Sequence, residues 1–326
     1  MTENKLSKIK APVNDELKQF NALFKESMKS SVTLVDLVTG YILKQKGKKI
    51  RPLLVLLSAK LCGGVTERSY RGAILVELLH TATLVHDDVV DNAEKRRGFP
   101  SINAIWKNKI SVLLGDYLLA KGLMLSVEGT DFDFLGIVTG TVKRMSEGEL
   151  LQISKTRKLN LDEDTYFRII SDKTASLLST CCEIGAGSAT EDEEKQKRMR
   201  DFGEYLGIAF QIRDDILDLV GKTKVFGKNQ GGDIKEKKVT LPLLYALKNS
   251  PEKEAEEIKK MIKKGADSEA VKKIINFTVR YNGINYAEEV ALSYAEKARA
   301  ALDIFENSPE KESLTHLVQY VIDRNK

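Results

Sequence analysis

Residues 74–91 read ILVELLHTATLVHDDVVD, and this stretch decides the fold class. Its apolar side chains recur every three or four residues, which is the spacing of an α-helix. They cover nearly the whole circumference and leave only a polar stripe that ends in acidic residues. A helix of this kind is buried. The stretch therefore predicts a core helix that carries the carboxylates of Asp87 and Asp91 inward, with Asp88 beside them.

The same helical spacing recurs along most of the chain. No convincing run of two-residue alternation is present, and residues 101–241 contain no proline, which long helices tolerate better than turn-rich sheets do. Pro52 suits the first turn of a helix that begins near Ile50, Gly63 and Gly64 suit its end, and Thr66 suits the N-cap of the next helix. The sequence predicts an all-α fold, with residues 221–240 as a loop or lid.

Composition excludes several classes of protein. The 52 Lys and Arg residues face 47 Asp and Glu residues, and the two signs interleave, so no basic stripe for nucleic acid is present. Unbroken apolar runs such as residues 53–57 fall short of the ~20 residues that a membrane helix needs. We therefore expect a cytoplasmic protein without membrane insertion. Its three cysteines fit no disulfide framework, and we expect them to be buried as small apolar side chains.

A second acidic motif repeats the first one. Residues 207–219 read GIAFQIRDDILDL, so Asp214, Asp215 and Asp218 repeat the D-D-x-x-D spacing of residues 87–91. With 20 Asp in 326 residues, one such motif is expected roughly 0.07 times by chance, and a pair needs a cause. On a helix, the first and fourth-following residues share a face. Each motif therefore predicts three converging carboxylates.

Clustered buried carboxylates need cations. Repulsion and lost hydration destabilise such a cluster unless positive charge lies in the gap. Oxygen ligands without Cys or His spacing indicate Mg²⁺, which often completes its shell with substrate phosphate. An EF-hand is excluded because its alternating ligands and central glycine are missing. Two merely solvated acidic faces remain an alternative.

Positively charged residues lie near both motifs in the sequence. Lys48, Lys49 and Arg51 open an apolar helix, where the N-terminus already attracts anions. Further cations follow the first motif or lie in the second half of the chain, namely Arg96, Arg97, Lys173, Lys228 and Lys238. This is more positive charge than one phosphate group requires, so the sequence indicates two diphosphate-bearing substrates.

Together these motifs resemble those of the trans-type (all-E) isoprenyl diphosphate synthases, the polyprenyl synthetase family, over essentially the whole chain. In family order the matching segments are residues 47–52 (GKKIRP), 78–92 (LLHTATLVHDDVVDN), 96–98 (RRG), 114–117 (LGDY), 172–175 (DKTA), 209–218 (AFQIRDDILD) and 238–242 (KVTLP). The resemblance implies one polyprenyl synthetase domain over residues 1–326, a bundle of helices around a deep central cavity, and a homodimer.

The resemblance also implies roles for individual residues. Mg²⁺ ligands would be Asp87, Asp88, Asp91 and Asp214, with Asp215 and Asp218 partly through water. The allylic prenyl diphosphate would be bound by Arg96, Lys173, Lys228 and Lys238. Isopentenyl diphosphate would be bound by Lys48, Arg51, His80 and Arg97. Thr174 and Gln211 would turn their oxygens toward the allylic carbocation. Lys237 stands where the family commonly has glycine, which leaves open whether Lys237 or Lys238 contacts the diphosphate.

The product expected from this resemblance is a long all-E polyprenyl diphosphate, in the hexaprenyl to octaprenyl range. Short-chain synthases tend to carry Phe or Tyr one turn before the first motif, and this chain has Ala82 and Thr83 there. Possible floor residues are Leu119, Leu123 and Met124. Geranylgeranyl or farnesyl products remain alternatives, as does a non-catalytic regulatory subunit. A terpene cyclase is disfavoured because it would not need the second set of cations.

Overall fold

The computed structural model describes residues 2–45, 47–96, 98–158, 161–221 and 230–324, with the backbone alone for residues 2–4, 157 and 158. It is 81% helical, which confirms the all-α class. The helices are α1 (Thr2–Lys10), α2 (Asn14–Ser27), α3 (Thr33–Lys44), α4 (Ile50–Cys62), α5 (Glu67–Val90), α6 (Ile102–Glu128), α7 (Phe132–Lys158), α8 (Glu163–Ile170), α9 (Ser176–Gly187), α10 (Glu193–Val220), α11 (Gly232–Lys235), α12 (Leu241–Lys248), α13 (Glu252–Lys264), α14 (Ser268–Arg280), α15 (Gly283–Ala301) and α16 (Pro309–Ile322).

Four shorter elements complete the described chain. A 3₁₀ turn, Ala11–Val13, joins α1 to α2, and a π-helical turn, Ser171–Ala175, joins α8 to α9. Two antiparallel strands, β1 (Lys95–Arg96) and β2 (Phe99–Pro100), pair just after α5. Of the predicted loop over residues 221–240, residues 222–229 lie outside the described residues, and within the remainder Gly232–Lys235 form α11 with Ile234 buried.

The chain divides into two compact units. The first unit comprises Met1–Gly140, Thr180–Arg200 and Ile304–Leu314. The second unit comprises Thr141–Ser179, Asp201–Asp303 and Thr315–Lys326. The single domain expected over residues 1–326 stays a prediction.

In the first unit, the ends of α4 and the N-terminus of α5 lie where the sequence predicts them. Helix α4 begins at Ile50 with Pro52 in its first turn, and it ends before Gly63, whose φ of 157° closes the helix. Thr66 caps α5: its hydroxyl accepts the Ser69 N–H at 3.3 Å, while the Ser69 hydroxyl accepts the Thr66 N–H at 3.0 Å. This reciprocal capping satisfies two backbone donors at the start of the helix that carries the first motif.

Glycines spaced seven residues apart bring α6 close to α5. They are Gly115, Gly122 and Gly129, and their neighbours on α5 are His86, Leu75 and Arg71 in that order. A β-carbon at Gly122 would lie 3.3 Å from Leu75 Cδ1, and one at Gly115 or Gly129 would collide with the facing side chain. Seven residues are close to two helical turns, so Gly115 and Gly122 of α6 and the C-cap residue Gly129 form one smooth ridge.

Helix α6 is also the most apolar long helix in the described residues. By length and composition alone it could cross a membrane, with a mean hydropathy of 1.6 over a window of which 33% is buried. Single polar residues interrupt its apolar runs, which is why no unbroken apolar run in the sequence approaches the length of a membrane helix. Buried helices of soluble proteins pass the same test, so the absence of membrane insertion stays a prediction. The backbone of Lys107 is not helical and breaks the helix near its start.

The second unit has two apolar clusters. One joins Ile212 and Ile216 of α10 to Leu241 of α12 and to Ala287 and Ala291 of α15. The other gathers α13 and α14 around the end of α10 and α11, through Leu219, Ile234, Ile262 and Ile274 among others. The apolar face of α10 is thus fixed in a core, and this orientation determines where the acidic side chains of the second motif can point.

Candidate functional site

The first acidic motif lies in the last turn of α5. Asp88 is its buried member, with a side chain that is 3% exposed, and Arg96 Nε donates a hydrogen bond to Asp88 Oδ1 at 2.6 Å. Burial raises the pKa of the Asp88 carboxyl, and Arg96 opposes that rise. Asp87 is half-buried and Asp91 is exposed. Asp88, and not Asp87 or Asp91 as predicted, is therefore the side chain that points into the protein.

The cations assigned to isopentenyl diphosphate lie in the first unit. Lys48 is exposed, Arg51 is half-buried in the first turn of α4, and His80 is buried on α5. Arg97 lies outside the described residues. Arg51 and His80 thus lie on two helices of this unit and Lys48 lies just before the first of them, and their ligand roles stay predictions.

Lys49 differs from its neighbours in the same basic segment. Its backbone is left-handed, with φ 57°, and it forms the N-cap of α4. Its Nζ lies 4.7 Å from the ring centroid of Phe24 and 4.0 Å from Glu77 Oε1. Lys49 therefore packs against the protein, which agrees with the assignment of only Lys48 and Arg51 to the substrate.

In the second motif, Asp215 is the buried carboxylate. It is 4% exposed, its Oδ2 accepts a hydrogen bond from the Tyr166 hydroxyl at 2.6 Å, and its Oδ1 accepts one from Gln211 Nε2 at 2.8 Å. Burial, followed by the charge of Asp233, raises the pKa of Asp215 to about 8, although the hydrogen bonds from Tyr166 and Gln211 lower it. Because both oxygens accept bonds inside the protein, the contacts favour a supporting role for Asp215 over direct metal ligation.

The other two carboxylates of this motif have different surroundings. Asp214 has a side chain that is 37% exposed, and its Oδ1 lies 2.8 Å from Arg324 Nη1. Asp218 accepts the backbone N–H groups of Gly232 and Asp233, each at 3.1 Å. Asp218 therefore anchors the start of α11, whereas the Asp214 carboxylate is paired with a cation that the chain itself supplies.

The expected convergence of three carboxylates in each motif was wrong. Among the residues that the structure describes, no group of three His, Cys, Asp or Glu side chains is arranged so that it could hold a metal ion. The reason is geometric. Adjacent helical residues are rotated by about 100°, so the middle Asp of each motif turns into the packing interface while the outer two stay nearer the surface.

The π-helical turn positions the predicted residues Lys173 and Thr174. Its backbone bond runs from Ser176 N–H to the Ser171 carbonyl, five residues apart. Thr174 Oγ1 donates to Gln211 Oε1 at 2.9 Å. Lys173 Nζ donates to Gln152 Oε1 at 3.3 Å and forms an ion pair with Glu149. The predicted neighbourhood of Thr174 and Gln211 is therefore present.

These side chains line a cavity of about 120 Å³ in the second unit. Predicted residues in its wall are Lys173, Thr174, Gln211, Asp215 and Lys238. Its remaining cations are Lys155 and Lys237, and Leu161, Ile169, Ile170 and Val239 form an apolar side. The wall excludes Asp214 and Asp218, and Lys228 lies outside the described residues. Basic and apolar walls together suit a diphosphate that carries a hydrocarbon chain. A second cavity of about 430 Å³ contains none of the predicted site residues.

The surroundings of Lys237 and Lys238 explain the departure noted in the sequence. Lys237 has φ 60°, in the left-handed region where glycine is favoured, so the glycine common in the family has a backbone reason. Lys237 Nζ donates to the Lys263 carbonyl at 3.1 Å, and Lys238 is half-buried with its Nζ 2.6 Å from Glu236 Oε2. Both lysines line the cavity, and the assignment of Lys238 as the diphosphate ligand stays a prediction.

Sequence reasoning missed the partners that hold these groups. Tyr166 lies 49 residues before Asp215, and no local pattern marks it. Glu149 and Gln152 are three residues apart on α7, so they share a helix face, and that spacing was the one available signal. Tyr166 fixes the direction of Asp215, and Glu149 and Gln152 fix the direction of Lys173.

Comparison with known proteins agrees with this geometry. The family model for polyprenyl synthetase matches residues 32–278. An octaprenyl diphosphate synthase of Haemophilus influenzae is 34% identical over 98% of this chain and 97% of its own length. The chain belongs to the polyprenyl synthetase family. The predicted prenyltransferase activity, with a long-chain product class, is thereby confirmed.

Solved structures of the polyprenyl synthetase family have the same fold. A decaprenyl diphosphate synthase from Rhodobacter capsulatus has a TM-score of 0.93 and 34% identity, covering 98% of this chain and 99% of its own. A polyprenyl synthase from Caulobacter crescentus, complexed with calcium and isoprenyl diphosphate, has a TM-score of 0.91 and 34% identity, covering 98% of each chain.

Proposed function

We propose that this prenyltransferase depends on Mg²⁺ and condenses isopentenyl diphosphate with an allylic prenyl diphosphate to give hexaprenyl to octaprenyl diphosphate. The observation that carries the proposal is the cavity in which Lys173 and Lys238 lie with the Thr174 and Gln211 pair. The two lysines supply positive charge for a diphosphate, and Thr174 and Gln211 supply oriented oxygens for the allylic carbocation.

The acidic residues fit a hard divalent cation. Asp214 already interacts with a cationic group, Arg324, and Asp88 with Arg96, so each motif has a carboxylate that attracts positive charge. All donors are oxygens, which suits Mg²⁺. The Caulobacter relative, which was solved complexed with calcium and isoprenyl diphosphate, supports the use of a divalent cation. Asp87, Asp88, Asp91 and Asp214 would hold the ions.

The residues of the cavity have distinct roles in the proposed reaction. When bound, Mg²⁺ would neutralise the diphosphate and so improve it as a leaving group. Lys173 and Lys238 hold that diphosphate while the allylic C–O bond breaks and its electron pair leaves with the oxygen. Thr174 and Gln211 direct oxygen dipoles toward the carbocation. Gln211 is held in place because its amide group donates to Asp215 and accepts from Thr174.

Condensation and elimination complete the cycle. The double bond of isopentenyl diphosphate attacks the carbocation and forms the new C–C bond. A proton then leaves the condensed cation, and the departed diphosphate is the proposed base. Lys48, Arg51 and His80, with Arg97, are the proposed ligands of isopentenyl diphosphate. Water has to be excluded because it would capture the carbocation.

We also propose a homodimer that acts in the cytoplasm without membrane insertion. One face of α6 exposes Leu113 at 56%, Met124 at 53% and Val127 at 42%. These positions fall within one sector of the helix, and a second copy would cover them. Burial of this face in a dimer would explain why α6 is as apolar as a membrane helix. Light scattering should give a dimer mass, and Leu113→Glu should give a monomer.

A direct assay tests the function. Purified protein is incubated with labelled isopentenyl diphosphate, Mg²⁺ and geranyl, farnesyl or geranylgeranyl diphosphate, and the dephosphorylated products are separated by chromatography. We expect six to eight isoprene units and no product in excess chelator. A protein that makes no product alone would support the regulatory-subunit alternative, and a C20 product would support the geranylgeranyl alternative.

A further inference from the structure

A network of polar side chains holds the π-helical turn, and none of its members lines the cavity. Arg144 of α7 is its centre. Arg144 Nε donates to Asp172 Oδ1 at 2.9 Å, and Nη2 donates to Ser171 Oγ at 2.9 Å and to Glu204 Oε1 at 3.1 Å. The Ser171 hydroxyl donates to the same Glu204 oxygen. One guanidinium therefore joins α7, the turn and α10.

The backbone of the turn is held by close contacts as well. A β-carbon at Gly148 of α7 would lie 3.0 Å from Asp172 Cβ and 3.0 Å from the Lys173 nitrogen. A β-carbon at Gly207 of α10 would lie 2.5 Å from Ala175 Cα. Glycine at both positions lets the two helices contact the turn directly, so small changes in the turn would be transmitted to its side chains.

The side chains of the π-helical turn have two different sets of neighbours. Lys173 and Thr174 line the cavity, whereas Ser171 and Asp172 point to Arg144 and are absent from the cavity wall. A π-helical turn inserts one residue into a helix, and isolated turns of this kind are common at functional sites. The directions of the Lys173 and Thr174 side chains therefore depend on the contacts that hold Ser171 and Asp172, the first two residues of the turn.

We propose that Arg144 is a positioning residue, which fixes the π-helical turn through Ser171, Asp172 and Glu204 so that Lys173 and Thr174 point at the allylic diphosphate. The inference rests on the proposed roles of Lys173 and Thr174. Arg144 itself does not line the cavity. Its planar guanidinium bonds three acceptors at once, which the single ammonium of a lysine does not reproduce in the same plane.

The chain offers a matched control on the same carboxylate. Arg168 Nε lies 3.7 Å from Asp172 Oδ2, but its side chain is 66% exposed, and among the described contacts the bonds to Ser171 and Glu204 come from Arg144. Arg168→Ala removes a positive charge from Asp172 without removing the bridge to α10. An effect that is merely electrostatic would be shared by both arginines, whereas a positioning effect belongs to Arg144 alone.

Steady-state kinetics of the full chain test the proposal. Arg144→Ala should reduce kcat/KM for the allylic substrate by about 100-fold, as expected when reacting groups are misplaced, while Arg168→Ala should stay within about twofold of wild type. KM for isopentenyl diphosphate should not change. Arg144→Lys should show most of the same loss, and it keeps the test valid if Arg144→Ala does not fold. Thermal unfolding confirms that each variant is folded.

A double-mutant cycle with Lys173→Ala shows whether Arg144 acts through Lys173. If it does, Arg144→Ala should cost much less in the Lys173→Ala background than in the wild type. Equal losses in both backgrounds would overturn the action of Arg144 through Lys173. Folded Arg144 variants with wild-type kinetics would overturn the positioning role and leave the roles of Lys173 and Thr174 untouched. Wild-type kinetics in the single variant Lys173→Ala would overturn the role of Lys173 and therefore this inference too.

Discussion

Gly207 of α10 lies directly against Ala175 at the end of the π-helical turn, with room for no β-carbon: one placed at Gly207 would fall 2.5 Å from Ala175 Cα and 2.7 Å from Ala175 Cβ. Gly207 is one helical turn before Gln211, whose amide accepts a bond from Thr174. This close approach of two backbones therefore sets the 2.9 Å distance between the oxygens of Thr174 and Gln211.

Gly207→Ala should separate α10 from the turn and weaken the Thr174–Gln211 bond. Overpacking of this kind typically costs ~1–3 kcal/mol of stability, and kcat should fall because the two oxygens lose their alignment. Gly140→Ala is the control, since nothing lies within 4 Å of a β-carbon there and it should stabilise α7 by up to ~1 kcal/mol. Urea unfolding and turnover are measured on both. Wild-type kcat and stability in Gly207→Ala would contradict the close contact.

Asp87→Ala and Asp214→Ala should each cost at least ~3 kcal/mol of transition-state stabilisation, because each removes a proposed ligand of the ion at the departing diphosphate. Asp303→Ala, at an exposed position after α15, serves as the control and should be neutral. The measurement is kcat/KM across a Mg²⁺ titration. Near-normal turnover in either motif variant would refute the metal assignment.

Lys238→Ala should raise KM for the allylic substrate more than KM for isopentenyl diphosphate. Hydrogen bonds to charged groups contribute ~1.5–3 kcal/mol, so a rise of about tenfold to a hundredfold is expected. Lys237→Ala is the matched control, because the Lys237 ammonium bonds the Lys263 carbonyl. Arg51→Ala should show the opposite preference and affect mainly isopentenyl diphosphate. The assignment fails if Lys237→Ala has the larger effect on the allylic partner.

Lys237→Gly should stabilise the protein. A left-handed backbone costs a non-glycine residue ~1–2 kcal/mol, part of which glycine loses again to chain entropy, so a gain of up to ~1 kcal/mol is expected. Lys260→Gly, at an exposed position within α13, should instead destabilise by ~1 kcal/mol. Chemical unfolding of the two variants gives opposite shifts of the midpoint if the backbone of Lys237 is left-handed in solution.

Ala82→Phe should shorten the product, since an aromatic ring fills the volume of several methylenes. Ala82 is 2% exposed, so this variant also risks overpacking, and Thr83→Phe at a half-buried position provides a second test with less strain. Chromatography of the dephosphorylated products is the measurement. A wild-type product of three isoprene units that neither variant changes would show that these residues do not set length. Met124 is 53% exposed, and its suggested role as a floor residue stays a prediction.

Much of the fold could be predicted because its signals are local. The start of α4 at Ile50, the Thr66 cap and the buried surroundings of the first motif each depend on residues within one or two turns. Burial of all three cysteines, Cys62, Cys181 and Cys182, was also confirmed.

The orientation of the acidic side chains could not be predicted in the same way. Spacing places Asp87 and Asp91 on one face, but the interior side of that helix end is set by Arg96, and the interior side of the second motif is set by Tyr166. The π-helical turn has no sequence signature of its own, because it depends on glycines of α7 and α10 that are distant in the chain. Contacts between distant residues therefore decide the details of the site.

The ridge formed by Gly115, Gly122 and Gly129 restricts how this protein can diverge during evolution. Inserting or deleting one residue between the first and last of these glycines would rotate the remainder of α6 by about 100° relative to α5. Larger side chains would then replace glycine at the contact. Substitutions on the outer face of α6 leave the ridge intact. We therefore expect homologues to vary freely in residue identity along that outer face while the number of residues from 115 to 129 stays constant.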